Sequence, residues 1–523
     1  MTELAFVRSE QAPKLPPPRA LIGVEGWLRA NLFYSITSTV ITAAATLFIT
    51  AVLWSILDWA IFRAVWSGSN REPCAVEGAG ACWPFVWAKY PQWIYGFYPI
   101  DQRWRPNLVF FLAAAGLIPM LMPSVRHKLW NGLFLLVAFP LITIILLSGG
   151  NVGFSPMTYG VVAGLLLIGA SFLPLAAFGL ESGVRRNRNG LGLVLAGVLP
   201  LLLAFALLIL AALSSFFGTL LSLASAEAIA HGFYSLTGLF NSLRQLIFAI
   251  PWLLPLMGLL VLGGAGLSVR SAWNAGTSAI TGWVIAAGAI FVAMFLLDVD
   301  FGLIPVETSD WGGLLVTLVV SVTGIVASLP LGILLALGRR SNMPVVKTFS
   351  VVFIETWRGV PLITVLFMSS VMLPLFLPPG TNFDKLLRML IGIALFSSAY
   401  MAEVVRGGLQ SVPRGQYEAA QALGLSYWQL MAKIILPQAL KVSIPNIVGS
   451  FISLFKDTTL VSIVGIYDLL GIIIAGYADA DWASPQTSNT GYFTATLIFW
   501  VFCFAMSRYA VYTERRLNTG HKR

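Results

Sequence analysis

Apolar runs of about twenty residues, the length needed to cross a hydrocarbon core as a helix, recur along most of this chain. No other feature narrows the possible folds so far. Of its 523 residues, 58% are hydrophobic and only 10% are charged, and the mean hydropathy is +0.84. A water-soluble domain carries about 25% charged residues, so a soluble fold is excluded. The alternation expected of an outer-membrane barrel is absent. The fold class is therefore an all-α polytopic membrane protein.

Twelve spans are expected, at about 32–57, 107–123, 131–148, 158–180, 191–213, 246–268, 276–297, 312–337, 350–377, 386–403, 442–475 and 491–511. The eleventh is long and is expected to contain a break. Arg8, Lys14, Arg19 and Arg29 precede the first span, Arg185, Arg186 and Arg188 follow the fourth, and Arg339, Arg340 and Lys347 follow the eighth. Asp298, Asp300, Glu307 and Asp310, and later Asp479 and Asp481, fall on the opposite side. The positive-inside rule then places both termini in the cytoplasm. The expected organisation is a cytoplasmic segment at 1–31, a transmembrane extension at 32–300 with a large periplasmic loop near 66–106, and a cytoplasmic tail at 512–523. That loop carries Arg71, Lys89, Arg103 and Arg105, and long loops are less bound by the rule. The net charge of +10 is spread over the short loops, so it marks topology and not nucleic-acid binding. Residues 1–30 are polar and proline-rich, and the first apolar run is too long for the core of a cleavable signal.

Three cysteines are present. Cys503 lies in an apolar run. Cys74 and Cys82 lie in the expected outer loop, where an oxidising compartment permits a disulfide; two free thiols are the alternative. The three histidines are scattered, and no His and Cys cluster has metal-ligand spacing. The aromatic stretch PQWIYGFYPIDQRW (91–104) fits side chains at headgroup level, or contact with a periplasmic partner.

One polar stretch interrupts the apolar pattern, EAAQALGLSYWQLMAKIILP from Glu418 to Pro437. Its spacing is E-A-A, three residues, Gly, nine residues, I-x-L-P, carried by Glu418, Ala419, Ala420, Gly424, Ile434, Leu436 and Pro437. Pro413 ends the preceding helix, and Gly424 suits a helix C-terminus. Ser426 with Gln429 forms a capping-box pattern, and the second helix is expected to stop at Pro437. The bland alternative is an interfacial helix that only anchors the loop in lipid. Ala419, Ala420 and Ala422 argue instead for close protein packing.

This stretch resembles the loop by which membrane subunits of ABC importers engage their ATPase. Residues 406–465, and FIETWRGVPLITVLF at 353–367, are similar to permeases of the polar amino acid uptake family. The likeness covers about 305–515, a type I permease core with its coupling loop at 405–440. About seven additional N-terminal spans precede that core. With ASLPLGILLALGRRS at 327–341, the extension resembles the subgroup for general L-amino-acid or glutamate/glutamine/aspartate/asparagine uptake. The resemblance implies a bacterial inner-membrane location and ATPase coupling through Glu418, Ala419, Ala420, Gly424 and Pro437. It implies a separate ABC ATPase that uses ATP and Mg, a periplasmic amino-acid-binding protein, and a second permease, paralogous or identical. The chain has no G-x-x-x-x-G-K-[ST] phosphate loop, so it is not expected to be an enzyme or to bind a cofactor.

Ionisable groups inside the membrane are functional candidates because a charge there is costly. Lys456, Asp457 and Thr458 either line or gate the translocation path or belong to a structural network, with Lys456 and Asp457 each finding its own partner. Glu403 and Arg406, at i and i+3, form a structural pair or gate element, and Glu355 with Arg358 stands in the same relation. Three rival readings remain at this level. One is an ion-coupled secondary transporter, for which no inverted repeat is seen. Another is a scaffold that binds the ATPase and moves nothing. The third is an ABC permease for opines or another small solute.

Overall fold

The computed structural model describes residues 23–122, 125, 128–150, 277–376 and 384–517. The spans expected at 158–180, 191–213 and 246–268 lie outside the described residues. The described chain is helical, with only isolated β-bridges between segments. Seven of its helices are long and apolar enough to cross a membrane, or eight if one bent pair counts as a span. The contacts group the described residues into two compact units, Met1–Lys89 with Gly476–Phe493 and Tyr90–Ala475 with Thr494–Arg523.

The first unit contains α1 (Gly23–Asn31) and α2 (Ile36–Leu57), the latter extended by a π turn over Asp58–Phe62. Ser35 caps α2 by accepting from the Ser38 N–H, one of the four orphan donors of a helix start. The loop from Cys74 to Cys82 is closed by a disulfide between them, with the Cα atoms 5.5 Å apart. Gly80 lets this loop approach the π turn after α2, since a Cβ there would lie 2.1 Å from the Trp59 carbonyl oxygen. The Cys82 N–H donates to Thr490 Oγ1 at 2.8 Å. Phe85 is buried beside Tyr477 and Trp482, and Lys89 pairs with Asp479.

The second unit takes in α3 (Trp83–Tyr95) from Tyr90 onward, then α4 (Trp104–Leu121), α5 (Lys128–Leu133), α6 (Phe139–Ser148) and α7 (Thr277–Asp298). It continues through α8 (Gly313–Arg339), α9 (Pro344–Gly359), α10 (Leu362–Phe367) and α11 (Lys385–Ser411). The remaining helices are α12 (Arg414–Ala422), α13 (Tyr427–Leu430), α14 (Leu436–Asp457), α15 (Leu469–Ala475) and, from Thr494 onward, α16 (Pro485–Leu517).

Helix α8 is the axis of this unit. Thr317, Ser321, Gly324, Ser328, Gly332 and Ala336 recur every three or four positions on it, and all are buried. Helices in lipid gain little from apolar burial, so small residues that admit a neighbouring backbone decide where they pack. Gly332 shows this directly, since a Cβ there would lie 2.8 Å from Met401 Cβ and 3.0 Å from the Ala402 nitrogen on α11. Where α8 begins, Gly313 has φ +63°, and a Cβ would sit 2.1 Å from the Trp93 carbonyl oxygen. Its N–H donates to the Tyr467 carbonyl. Arg105 donates to the Ile304 carbonyl at 2.7 Å. Residues 92–105 are thereby fixed on residues 304–313.

Three expected boundaries change. The span expected at 350–377 is two helices bent by 105°. Pro361 forces the break, because its ring disfavours helical backbone at the preceding residue, and Val360 is extended (φ −111°, ψ 134°). The helix expected to stop at Pro437 continues through it. A π turn over Met431–Ile435 directs the Leu436 N–H to the Met431 carbonyl, and Pro437 then occupies the first turn of α14, where a missing N–H is tolerated. The result is one long helical run, Tyr427–Val464, in place of a short helix followed by a span starting at 442. That run ends at Gly465, whose φ of +76° is left-handed, and α15 follows after a turn.

Candidate functional site: the capped turn at Gly424 and an ion-pair hub

Helix α12 begins after Pro413 and ends in a left-handed glycine. The Gly424 N–H bonds to the Gln421 carbonyl at 2.9 Å and the Leu425 N–H to the Ala420 carbonyl at 3.3 Å. These two bonds are a Schellman closure, in which orphan carbonyls of the last turn are satisfied. Gly424 has φ +70° and nothing within 4 Å of a Cβ position, so it is needed for its conformation and not for close packing. The next helix starts one residue after Leu425. Ser426 Oγ accepts from the Gln429 N–H at 3.4 Å and Gln429 Oε1 from the Ser426 N–H at 3.2 Å, a complete capping box. The chain thus turns sharply on two reciprocal caps.

That turn sorts the motif residues. Ala420 is buried against the bundle, while Glu418, Ala419, Gly424 and Pro437 are exposed. Leu423 at the tip is 76% exposed. An exposed leucine beside an exposed glutamate and small alanines leaves a knob with few constraints of its own.

Close by in sequence, α11 carries the best-connected charge of the unit. Glu403 Oε2 accepts from Arg406 Nε at 2.8 Å and Nη2 at 2.6 Å, and its Oε1 accepts from Arg339 Nη1 at 2.8 Å. The same Arg339 nitrogen reaches Glu355 Oε1 at 2.9 Å, and Arg358 lies 3.8 Å from Glu403. Charge-assisted bonds of this kind are stronger than neutral ones. Three guanidinium groups and two carboxylates leave the hub with a net charge of +1. Helices α8, α9 and α11 are joined through one carboxylate whose side chain is 15% exposed.

The expected partner of Glu355 is different. Glu355 pairs with Arg339, and Arg358 turns instead to Glu403 and to the Tyr400 ring at 5.7 Å. Arg339 was legible only as a basic residue at a helix end, because its separation of 64 positions from Glu403 hides the contact. Lys456, Asp457 and Thr458 stand apart from the hub at the end of α14. Neither Lys456 nor Asp457 enters an ion pair among the described residues, contrary to the expectation that each would find its own partner. Thr458 is buried and donates to the Phe455 carbonyl at 2.8 Å. No group of His, Cys, Asp or Glu among the described residues is arranged to hold a metal ion.

The described residues form an all-helical membrane bundle with a capped, exposed turn, an architecture that fits a membrane permease subunit. Residues 328–519 match the family described as binding-protein-dependent transport system inner membrane component. The chain is 37% identical over 531 residues to the glutamate/glutamine/aspartate/asparagine transport system permease protein BztC of Rhodobacter capsulatus, covering 100% of both chains. It is 36% identical to the inner membrane amino-acid ABC transporter permease protein YhdY of Escherichia coli, covering 94% of this chain and 93% of that protein. It is also 36% identical to the glutamate/aspartate import permease protein GltK of Escherichia coli over 30% of this chain and 72% of that protein. The chain belongs to the permease family of polar amino-acid ABC importers, multi-pass proteins of the inner membrane. The likeness to BztC and YhdY runs through the N-terminal extension as well as the core.

Proposed function

We propose that this chain imports polar L-amino acids of the glutamate, glutamine, aspartate and asparagine class, and that it is driven through α12. Both termini and the Glu418 turn face the cytoplasm. Residues 305–515 form the permease core, and 32–300 are an added membrane extension. A separate ABC ATPase subunit binds ATP and Mg and receives the knob made by Glu418, Ala419, Ala420 and Gly424. Pro437 starts the span that the knob moves. A periplasmic amino-acid-binding protein delivers the substrate, and a second permease, paralogous or identical, completes the path across the bilayer.

The observation that carries this reading is the doubly capped turn. It exposes Glu418, Ala419 and Leu423 on a segment whose only buried helical residue is Ala420. A turn so well closed and so little packed fits a rigid handle for an outside partner. The names of the full-length relatives support the substrate class. Lys456, Asp457 and Thr458 line or gate the path, and Glu403 with Arg406 belongs to a gate near the driven end.

The test is reconstitution with the ATPase and the binding protein. ATP-dependent uptake of labelled L-glutamate should fall sharply with Glu418→Lys or Gly424→Pro, and normal uptake in both variants would refute the docking role. For the path, Lys456→Ala and Asp457→Asn are compared at equal membrane levels. Unchanged uptake in both removes these residues from the mechanism.

A further inference from the structure

The knob has few ties to the spans it would move. Ala420 is its one buried helical residue, and Gln438 reaches Gln416 at 3.3 Å from α14. A stronger tie involves Tyr417, the residue before Glu418. Tyr417 Oη accepts from Arg340 Nη1 at 2.9 Å and donates to the Leu409 carbonyl at 3.2 Å. The same Arg340 nitrogen reaches the Leu409 carbonyl at 3.3 Å, and its guanidinium carbon lies 5.4 Å from the centre of the Tyr417 ring. Three helices meet at this point: the end of α8 through Arg340, the last turn of α11 through Leu409, and α12 through Tyr417.

Two features show that this is a tie and not incidental packing. Arg340 and Tyr417 both line two open cavities of about 320 and 390 Å³. Ala420, Tyr417 and Leu425 also pack on the apolar core, and the hydrogen bonds add a directed tie to that packing. Arg340 also enters no ion pair among the described residues. Its charge is directed to a hydroxyl, a carbonyl and a ring face, groups that hold a guanidinium in place without the desolvation cost of a buried carboxylate. Its neighbour Arg339 makes the opposite choice and joins the Glu403 hub.

We propose that Arg340 is a positioning residue for transport: through Tyr417 it latches the coupling helix to α8 and α11, so that displacement of the knob reaches both spans. This rests on the docking reading above. It assigns separate tasks to adjacent residues, with Glu418 facing the motor and Tyr417 facing the spans.

The experiment uses the complete importer in proteoliposomes, with labelled L-glutamate, L-glutamine, L-aspartate and L-asparagine supplied together. Three quantities are measured: ATPase retained on affinity purification, ATP hydrolysed and amino acid accumulated. Tyr417→Phe and Arg340→Ala, which each remove two of the three hydrogen bonds at this junction, should keep the ATPase bound yet lower the amino acid moved per ATP by about fivefold or more. Arg340→Lys, a point charge without the guanidinium fork, should restore less than half of that ratio. Tyr417→Phe removes one oxygen and keeps the ring, so it carries the test if Arg340→Ala fails to accumulate.

A wild-type ratio in Tyr417→Phe would overturn the latch, as would a proportionate fall in hydrolysis and uptake, the mark of a merely structural role. Loss of the ATPase from Tyr417→Phe would also overturn it, since the residue would then belong to the dock. Failure of the docking reading looks different: Glu418→Lys and Gly424→Pro would keep both the ATPase and full transport.

Discussion

The two ends of α8, about 40 Å apart at the usual helical rise, are held by opposite means. At the Gly313 end, backbone meets backbone. Gly96, Gly312 and Gly313 approach so closely that a Cβ on Gly313 would overlap the Trp93 carbonyl, and a Cβ on Gly96 would lie 2.4 Å from Gly312 Cα. At the Arg339 end, long side chains join α8 to α9, α11 and α12 through Glu403, Glu355 and Tyr417. Backbone contacts of this kind have one geometry. Guanidinium groups on flexible stems have several, and Arg339 already divides one nitrogen between two carboxylates. A helix built this way has an anchored end and an adjustable end, and the adjustable end lies beside the Glu418 turn.

The largest effect is expected where the backbones touch. Gly313→Val adds a branched side chain at positive φ against a carbonyl that cannot move aside, a cost of about 3 kcal/mol or more. Little monodisperse protein should be recovered in detergent, and normal recovery would break the idea of a fixed end. Glu403→Gln comes next. Removing one partner of a fully buried pair costs about 3–5 kcal/mol. Here the arginine side chains keep 26% to 36% of their exposure, so about 2 kcal/mol is expected after solvent screening. The wild-type melting temperature should fall with added salt, and that of the variant should be less sensitive.

Gly424→Ala sharpens the contrast with Gly313, because both residues have positive φ and only one has neighbours. The substitution should cost about 1 kcal/mol, confined to the end of α12. Transport should drop while the melting temperature of the whole chain stays within error, and a matched fall in both would erase the distinction.

The smallest effect belongs to a control in the other unit. Lys89 beside Asp479, together with the Asp481 N–H, holds the Asp479 carboxyl below the usual carboxylate range. The native state binds this proton less readily than the unfolded chain. The pair therefore contributes stability above the ordinary carboxylate pKa, and that contribution is lost as pH falls through the lower native value. Both groups are partly exposed, so about 0.5 kcal/mol is at stake. Acid titration of Lys89→Ala should give a slightly flatter stability curve than wild type below about pH 4, and identical curves would remove the pair from the stability of this unit.

Much of the turn between α12 and α13 was legible in the sequence because its determinants are local. Gly424, Ser426 and Gln429 act on backbone groups within four residues, and the structure places those bonds where the motif requires them. Pro437 was misread for an equally local reason. A proline in a helical pattern reads as a stop, but a π turn just before it moves the bonding register, and no residue between Met431 and Ile435 announces that turn. The break at Pro361 was missed because the apolar pattern continues on both sides, so hydropathy alone joins two helices that differ in direction by 105°. The hub was half legible. Glu403 and Arg406 share a helix, but Arg339 and Glu355 reach Glu403 or each other only after α8, α9 and α11 have packed.

The sequence alone determined that this chain lives in a bilayer and how the turn at Gly424 closes. Those properties follow from transfer of side chains out of water and from hydrogen bonds between near neighbours. Only the tertiary structure decided which arginine meets which glutamate, and that Tyr417, beside Glu418, ties the turn to two spans. Those pairings depend on how closely helices approach, and the approach is set by small residues such as Gly332 on facing surfaces, which spacing along one chain does not reveal.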